Sequence, residues 1–396
     1  MRLSGRVERL EPSPTLAITA RAKALRAAGE EVFSLAAGEP DFATPDHICK
    51  AACAAMEAGH TGYAPSAGIP ELRAAIRRAA ARELGVDYGD DQVVVSCGAK
   101  QCLYNACMSL LEPGCEALIQ APYWVSYPEQ VRLCGAQPVI LPPPTKSFGL
   151  NLDAMAAAVG ERTRLIVLNS PCNPTGHVDT GDDLDRVAEL AIEHDLAVIS
   201  DDIYRRIAYD GCSPLDIVES NPEMKDRTVV VNGVSKAYSM TGWRLGWALG
   251  PPDLIAAMRK IQDQSTSNAV TFVQHAAVAA LESPPGVVEK MVEAFAARRE
   301  RVVELLGKIE GVSCEKPEGA FYVLPSFKAL LGRKLNGVVI DSGLRLAEVL
   351  LEEERVAVVP GEAFAAPGHI RISFAASIEV IEEAISRIAA LVGRME

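Results

Sequence analysis

The stretch GVSKAYSMTGWRLGW (residues 233–247) places Lys236 after a β-branched run, Thr228–Val231, and a Gly-Val-Ser turn. Small and apolar residues surround this lysine, and Arg244 follows eight positions later between two glycines. A poorly hydrated ammonium has a lowered pKa, which makes its amine available as a nucleophile or base. The stretch therefore predicts a reactive lysine just beyond the end of a strand.

Composition excludes several classes of function. The chain has 396 residues, a net charge of −13 and no long basic run, so nucleic acid and anionic membranes are not expected as partners. Its ten cysteines form no C-x-x-C pair and no zinc-site spacing, which predicts free thiols, no metal and a reducing compartment. The N-terminus lacks the apolar core of a signal peptide, and no apolar run approaches the ~20 residues of a membrane span. A cytoplasmic location is expected.

The order of elements predicts an α/β fold. Between about residues 70 and 285, helices alternate with short apolar runs such as Arg164–Asn169 and Thr228–Asn232. Runs without polar alternation indicate strands buried on both faces, as in a mostly parallel sheet covered by helices. After residue 285, a long charged helix, Gly286–Leu306, and short strands indicate a second, smaller α+β domain.

Element and domain boundaries follow from the same pattern. Pro12 and Pro14 are expected to break regular structure in an N-terminal arm, and Asp46 to cap a helix at Ile48–Gly59. Outside the central sheet, strands are expected at Glu31–Ala36, Val312–Glu315, Gly319–Leu324, Val356–Val359 and His369–Phe374. The predicted divisions are an arm at 1–15, a large domain at 48–285, and a smaller domain formed by 16–47 and 286–396.

Two loops that follow predicted strands carry groups suited to a ligand. Ser96–Lys100 (SCGAK) is a turn of small residues that opens a helix, where free N–H groups and the helix dipole attract an anion. An ordinary strand-to-helix turn is the competing interpretation. Asn169–Gly176 (NSPCNPTG) contains two prolines that stiffen the loop and would hold the Asn173 amide in place, unless it is only a turn rich in turn-forming residues.

Charged residues mark two further strands. Ser200–Tyr204 (SDDIY) places Asp201 at a strand tip, where α/β folds bind ligands, although a helix cap is the competing interpretation. His369–Phe374 (HIRISF) holds Arg371 inside an apolar strand. Because a buried charge is costly without a partner, Arg371 is expected to meet a carboxylate, and an internal ion pair would satisfy that expectation without any ligand.

Together these motifs offer an amine nucleophile, a phosphate cradle, an aspartate for a ring nitrogen, groups for a phenolic oxygen and an arginine for a carboxylate. That inventory matches pyridoxal phosphate (PLP) chemistry. The order and spacing of the motifs resemble the class I aminotransferases of the fold-type I PLP enzymes, in particular bacterial aspartate aminotransferases of the 1b subgroup. The resemblance covers essentially the whole chain, including SPTLAI (13–18), AAGEPDF (36–42), YAPSAG (63–68) and PYWVSYP (122–128).

The resemblance implies a large domain with a mostly parallel seven-stranded sheet between helices, plus a smaller α+β domain. It also implies that Lys236 binds PLP covalently as a Schiff base and that Asp201, rather than Asp202, keeps the ring nitrogen protonated. The phosphate would contact Gly98, Ala99, Lys100, Ser235, Arg244 and Tyr63 of the partner subunit. The ring and its phenolic oxygen would contact Trp124, Asn173 and Tyr204. Substrate contacts would come from Thr15, Gly38, Lys100, Trp124, Asn173 and Arg371.

The implied activity is ping-pong transamination between an amino acid and a 2-oxo acid, in a homodimer with shared active sites. Lys236 would take the substrate's Cα proton and return it, as base and then acid. In the 1b subgroup, residues at the positions of Lys100 and Thr15 are linked to a second carboxylate, which favours aspartate and glutamate with oxaloacetate and 2-oxoglutarate. Glu11 stands where some prephenate-using relatives have lysine, which disfavours prephenate. Contact of Lys100 with phosphate or solvent alone is the competing interpretation.

Other functions compete with transamination of acidic amino acids. An aromatic or prephenate aminotransferase is the nearest alternative, and a lyase of the aminocyclopropane-carboxylate synthase type is more distant. A regulatory PLP-binding domain usually carries a basic helix-turn-helix segment, which is not visible in this sequence. A nicotinamide oxidoreductase would carry a G-x-G-x-x-G fingerprint, which is also missing.

Overall fold

The computed structural model describes residues 3–10, 14–145 and 147–396, without the side chains of residues 14–16 and Thr19. The strands are β1 (Phe33–Ser34), β2 (Val93–Ser96), β3 (Glu116–Gln120), β4 (Gln137–Leu141), β5 (Thr163–Asn169), β6 (Ala197–Asp201), β7 (Thr228–Gly233), β8 (Gly246–Leu249), β9 (Tyr322–Val323), β10 (Lys334–Leu335), β11 (Val338–Val339), β12 (Val356–Ala357), β13 (Val359–Pro360) and β14 (Ile370–Ser373).

The helices are α1 (Gly5–Glu8), α2 (Pro14–Ala27), α3 (Asp46–Glu57), α4 (Pro70–Glu83), α5 (Ala99–Leu110), α6 (Ser126–Leu133), α7 (Leu152–Ala158), α8 (Gly181–Glu193), α9 (Ile217–Ser220), α10 (Pro252–Asp263), α11 (Thr271–Leu281), α12 (Glu289–Leu306), α13 (Gly343–Glu353) and α14 (Ile378–Gly393). Short 3-10 helices cover Asp90–Gln92, Pro222–Asp226, Thr241–Trp243, Lys328–Leu330 and Gly361–Phe364.

A seven-stranded sheet forms the centre of the larger part of the chain. Its strand order is β2-β8-β7-β6-β5-β3-β4. Strands β7, β6, β5, β3 and β4 run parallel, and β8 is antiparallel to both its neighbours, β2 and β7. The predicted mostly parallel sheet is therefore confirmed. The carboxyl ends of every strand except β8 lie at one edge of the sheet.

Both faces of this sheet are buried, as the unbroken apolar runs predict. In β5, Leu165 and Val167 pack into an apolar core with helices α5, α6 and α10. Their neighbours Ile166 and Leu168 pack into the opposite core, with α3, α4, α8 and α11. Alternate side chains of a strand point to opposite faces, so a continuous apolar run fills a core on each side.

A smaller antiparallel sheet, β13-β14-β9, lies in the C-terminal part of the chain. Helices α12, α13 and α14 share one apolar core with β9 and β14. Strand β1 pairs in parallel with β12, so that Phe33 lies opposite Val356. This pairing joins the N-terminal and C-terminal segments, as the predicted discontinuous smaller domain requires. The domain boundaries themselves stay a prediction.

Several predicted strands outside the central sheet are wrong or too long. Val312–Glu315 forms no strand, since Ser313 makes only an isolated bridge with Ser326. Glu31–Ala36 forms a strand over β1 alone. The run Val356–Val359 is divided between β12 and β13, which pair with different strands. Short strands depend on their partners' packing more than on local propensity, so their limits are poorly predicted from sequence.

Helix ends differ from the prediction as well. Pro14, expected to break regular structure, is the first residue of α2, where a proline suits a helix because the first N–H groups have no intrahelical partner. Asp46 is the first residue of α3 and Pro45 occupies the cap position. Within the predicted arm, Gly5–Glu8 forms α1, and Pro12 lies outside the described residues.

All ten cysteines are unpaired. Among the described residues, no helix combines the length and apolarity needed to cross a bilayer. Over the same part of the chain, no group of three or more His, Cys, Asp or Glu residues could hold a metal ion.

Candidate active site

A cavity of about 300 Å³ lies at the carboxyl edge of the central sheet. It brings together most of the residues that the sequence singles out: Gly38, Ala99, Lys100, Trp124, Asn173, Asp201, Tyr204, Ser235, Lys236, Arg244 and Arg371. Asp201 is the last residue of β6, and Lys236 follows β7 by three positions. Parallel strands deliver their carboxyl ends to one edge, which explains why motifs distant in sequence meet there.

Lys236 is partly exposed to this cavity, and its Nζ donates a hydrogen bond to the Gly38 carbonyl oxygen. The ammonium lies 5.7 Å from the Tyr204 ring centroid and 5.8 Å from that of Phe321. Burial, with a smaller contribution from the Arg371 cation, lowers the pKa of Lys236 to about 8. The predicted reactive amine is therefore placed in an environment that raises its neutral fraction above that of an ordinary lysine.

Asp201 is buried at the base of the cavity. Its Oδ2 accepts a hydrogen bond from the Tyr127 hydroxyl at 2.8 Å, and its Oδ1 accepts one from the Ile203 N–H at 3.3 Å. Burial raises the pKa of Asp201 to about 6, while the Tyr127 hydrogen bond opposes that rise. Asp202 does not line the cavity: its Oδ2 lies 3.5 Å from Arg205.

One wall of the cavity is suited to an anion. Helix α5 begins at Ala99, and within the described residues the N–H groups of Ala99 and Lys100 donate to no protein acceptor. Gly98 adopts φ = 92°, and a Cβ there would lie 2.6 Å from Arg244 Nη2. Burial and the Arg244 cation lower the pKa of Lys100. The described part of the chain places no carboxylate within ion-pair distance of either cation, so this wall is positively charged.

Arg371 lies on β14 and is 2% exposed. Its Nη1 donates to Asn173 Oδ1 at 2.9 Å, and its Nη2 donates to the Ala36 carbonyl at 2.9 Å. Its Nε has no hydrogen-bond partner, and no carboxylate of the described residues pairs with it. The competing interpretation of an internal ion pair is thus wrong for this arginine. A buried guanidinium without a counter-ion is suited to a ligand carboxylate.

Two tyrosines that sequence reasoning does not single out, Tyr322 and Tyr127, complete the cavity. The Tyr204 and Tyr322 hydroxyls are 2.9 Å apart, and the Tyr322 ring centroid lies 4.4 Å from the Arg371 guanidinium carbon. Tyr127 bonds to Asp201 and packs edge-on against Trp124, with ring centroids 5.3 Å apart. The aromatic segment PYWVSYP, which also contains Trp124, is a local signal for Tyr127. The sequence carries no local signal for Tyr322, because this residue reaches Arg371 through the pairing of β9 with β14.

A few predicted site residues lie elsewhere. Gly98 adjoins the cavity through Arg244 without lining it. Tyr63 is 95% exposed and does not line the cavity of its own chain. The side chain of Thr15 and the whole of Glu11 lie outside the described residues, so their contacts stay predictions.

Comparison with known proteins gives consistent matches over the full chain. A family model described as "Aminotransferase class I and II" matches residues 30–388. The chain is 44% identical over 392 residues to an aspartate aminotransferase of Geobacillus stearothermophilus, covering 98% of each. It is 46% identical over 389 residues to a probable aspartate/prephenate aminotransferase of Aquifex aeolicus, covering 98% of this chain and 97% of that protein.

The structural comparison agrees with these matches. The crystal structure of an aspartate aminotransferase from Rhizobium meliloti has a TM-score of 0.97 and 41% sequence identity, covering 100% of both chains. The predicted fold-type I architecture is therefore confirmed. Because the family model spans most of the chain and the relatives align with nearly all of it, the chain belongs to the class I and II aminotransferases.

Proposed function

We propose that the protein is a PLP-dependent aminotransferase that exchanges the amino group of aspartate or glutamate with oxaloacetate or 2-oxoglutarate by a ping-pong mechanism. The observation that carries this proposal is the pairing of two groups in one cavity. Lys236 offers an amine with a pKa of about 8, and Arg371 offers a buried guanidinium without a counter-ion. The first suits an aldehyde and the second a carboxylate.

The residues of the cavity fit PLP. Lys100, Arg244 and the free N–H groups at the start of α5 suit its phosphate, Asp201 suits a protonated ring nitrogen, and Lys236 suits its aldehyde carbon. The orphaned Nε of Arg371 indicates a further polar partner beside that site. When bound, PLP supplies an electron sink that stabilises negative charge at the α-carbon of an amino acid.

Lys236 moves the proton. With a pKa of about 8, a substantial fraction of its amine is neutral near pH 8, so Nζ can accept a proton from the substrate's Cα and later donate it. The Gly38 carbonyl and the Tyr204 and Phe321 rings hold that amine at one wall of the cavity. A proton transfer between fixed groups avoids the entropy cost of a bimolecular step.

Arg371 orients the substrate. Asn173 and the Ala36 carbonyl fix the planar guanidinium, which can bind a carboxylate in two-point fashion. Lys100 lies 4.8 Å from the Trp124 ring centroid, at the same cavity. Its ammonium supports a substrate with a second carboxylate, as in aspartate and glutamate. The Thr15 contact, whose side chain lies outside the described residues, is proposed for the same carboxylate.

Prephenate is a second candidate acceptor, because the relative from Aquifex aeolicus is named a probable aspartate/prephenate aminotransferase. Glu11 argues against this activity in the present chain, since its negative charge would repel a further carboxylate. Arogenate, the amino acid that corresponds to prephenate, therefore belongs in the same assay as aspartate and phenylalanine.

We infer that the active protein is a homodimer in which Tyr63 of each subunit reaches the phosphate site of the other. The support is its position: this phenol is 95% exposed and lies outside the cavity of its own chain. A large aromatic side chain left in water is unusual unless a partner covers it.

We also propose a cytoplasmic location. Ten unpaired cysteines are compatible with a reducing compartment, in which disulfides rarely persist. Fractionation of the native host should recover the activity in the cytoplasmic fraction, and recovery from a secreted or envelope fraction would contradict the proposal.

Steady-state kinetics with a panel of amino donors test the specificity. We expect the highest kcat/KM for aspartate or glutamate, with lower values for phenylalanine and arogenate. Lys100→Met should reduce kcat/KM for aspartate more than for phenylalanine, because only aspartate carries a second carboxylate. Fast reaction of phenylalanine or arogenate beside slow reaction of both acidic donors would overturn the proposed specificity.

A further inference from the structure

Tyr127 makes a hydrogen bond to the carboxylate that is proposed to pair with the PLP ring nitrogen. Its hydroxyl donates to Asp201 Oδ2 at 2.8 Å, and both side chains are buried. The only other hydrogen bond to this carboxylate among the described residues comes from the Ile203 N–H, at a longer 3.3 Å. The tyrosine is therefore the closer of two donors to a carboxylate that burial makes costly to ionise.

The fold holds Tyr127 firmly in this position. The residue lies in the first turn of α6, and its ring packs in the apolar core beneath the sheet together with Val131 and Ile199. The Trp124 ring meets it edge-on. A phenol whose ring is packed on several sides loses little further freedom on making a hydrogen bond, so its hydroxyl is preorganised toward Asp201.

We propose that Tyr127 is a positioning residue that keeps the Asp201 carboxylate ionised and fixed in the cavity wall, and thereby sets the affinity of the protein for PLP. This inference rests on the proposed function, in which Asp201 pairs with the ring nitrogen. A hydrogen bond to the charged form of an acid favours that form, and one to a carboxylate is stronger than one between neutral groups.

Other titratable groups around Asp201 do not replace this contribution. They are Cys102 on α5, Cys172 in the Asn169–Gly176 loop, Asp202 and Tyr204 beyond β6, and Lys236 beyond β7. Of these, Lys236 alone is a cation, and the proposed function assigns its nitrogen to the cofactor's aldehyde rather than to Asp201. Cys102, Cys172 and Tyr204 are neutral near pH 7, because burial raises the pKa of each. Among the described residues, Tyr127 is therefore the side-chain donor to Asp201 that persists in the loaded protein, beside the longer bond from the Ile203 N–H.

The test is the affinity of PLP-free protein for PLP as a function of pH, in the wild type and in Tyr127→Phe. The substitution removes one oxygen and keeps the packed ring. Tyr123→Phe is the matched control, because Tyr123 lies in the same segment but does not line the cavity. Thermal unfolding of each PLP-free variant reports whether the fold is retained.

We expect Tyr127→Phe to raise the dissociation constant roughly tenfold at pH 6, which corresponds to one unit of pKa change at Asp201. The ratio of the variant's dissociation constant to that of the wild type should fall toward one at high pH, where Asp201 is ionised in both proteins. Tyr123→Phe should give a ratio near one throughout. In an Asp201→Asn background, Tyr127→Phe should have no pH-dependent effect, as a double-mutant cycle requires.

A ratio that does not change with pH, or that Tyr123→Phe reproduces, would overturn the role of Tyr127 and leave the proposed function intact. The same effect of Tyr127→Phe with Asn at position 201 would also overturn it. If the wild type itself takes up no PLP at any pH, the proposed function fails together with this inference.

Discussion

Arg371 is the residue on which substrate binding should depend most, because it is a buried cation without a counter-ion in the described chain. Arg371→Lys keeps the charge but removes the planar fork held by Asn173 and the Ala36 carbonyl. We expect kcat/KM for aspartate to fall about a hundredfold, the equivalent of about 3 kcal/mol for lost hydrogen bonds to a charged group. Steady-state kinetics measure this change.

PLP binding provides the control for Arg371→Lys. Arg371 is not one of the groups proposed for the phosphate, so the variant should take up PLP with nearly unchanged affinity. A matched surface change, Arg78→Lys, should alter neither quantity, since within the described part of the chain Arg78 forms only an exposed ion pair with Glu282. Full activity of Arg371→Lys would contradict the assignment of the substrate carboxylate to this residue.

Lys236 predicts a pH dependence for the capture of PLP by the PLP-free protein. Burial lowers the pKa of its ammonium to about 8, and only the neutral amine is a nucleophile. The rate of capture should therefore rise as pH increases through about 8 and level off above it. Rapid-mixing absorbance measurements give this profile, and a rate that keeps rising to the ordinary lysine pKa of about 10.4 would contradict the lowered value.

At the scale of elements, the start of α5 is the feature that shapes the phosphate wall. Gly98→Ala would place a methyl group 2.6 Å from Arg244 Nη2 and would force alanine into φ = 92°. We expect PLP affinity to fall roughly tenfold, the equivalent of losing about 1.5 kcal/mol in a charge-assisted hydrogen bond. Equilibrium titration with PLP measures this effect.

Gly114→Ala separates backbone strain from the contact with Arg244. Gly114 has φ = 99°, close to that of Gly98, but a Cβ there would meet no atom within 4 Å. Both variants should lose stability, roughly 1–3 kcal/mol, from a backbone conformation that favours glycine, whereas only Gly98→Ala should lose PLP affinity. Equal affinities for PLP in the two variants would show that the phosphate wall does not depend on Gly98.

The elements that carry the site could be predicted from sequence because their signals are local. Continuous apolar runs mark β5, β6 and β7, and each ends in a polar motif that the sheet then carries to one edge. The strand expected at Val312–Glu315 failed because an exposed short run needs a partner strand that the sequence does not reveal. The apolar run around Arg371 predicts its strand correctly, but the lack of a carboxylate partner among the described residues depends on long-range packing.

At the scale of the whole molecule, the exposed Tyr63 predicts active sites shared between subunits. As homodimers, Lys236→Ala should be inactive and Tyr63→Ala should have weakened activity. A hybrid dimer would combine an intact Lys236 from one subunit with an intact Tyr63 from the other in a single site. Mixing the two unfolded variants and refolding them together should therefore restore activity, measured as aspartate turnover.

Separately refolded variants that are mixed afterwards are the control for this complementation, since stable dimers should not exchange subunits quickly. Sedimentation measurements should give a dimer for each protein. A fully active monomer at assay concentration, or no gain in activity on co-refolding, would contradict the shared site.

The central claim concerns one covalent link and one reaction, and a single-turnover spectrum tests both. Protein loaded with PLP and mixed with aspartate alone should lose its visible cofactor band and release oxaloacetate in an amount equal to the active sites. Addition of 2-oxoglutarate should restore the band, and Lys236→Ala should show neither change. A wild-type band that neither aspartate nor glutamate alters would contradict the account.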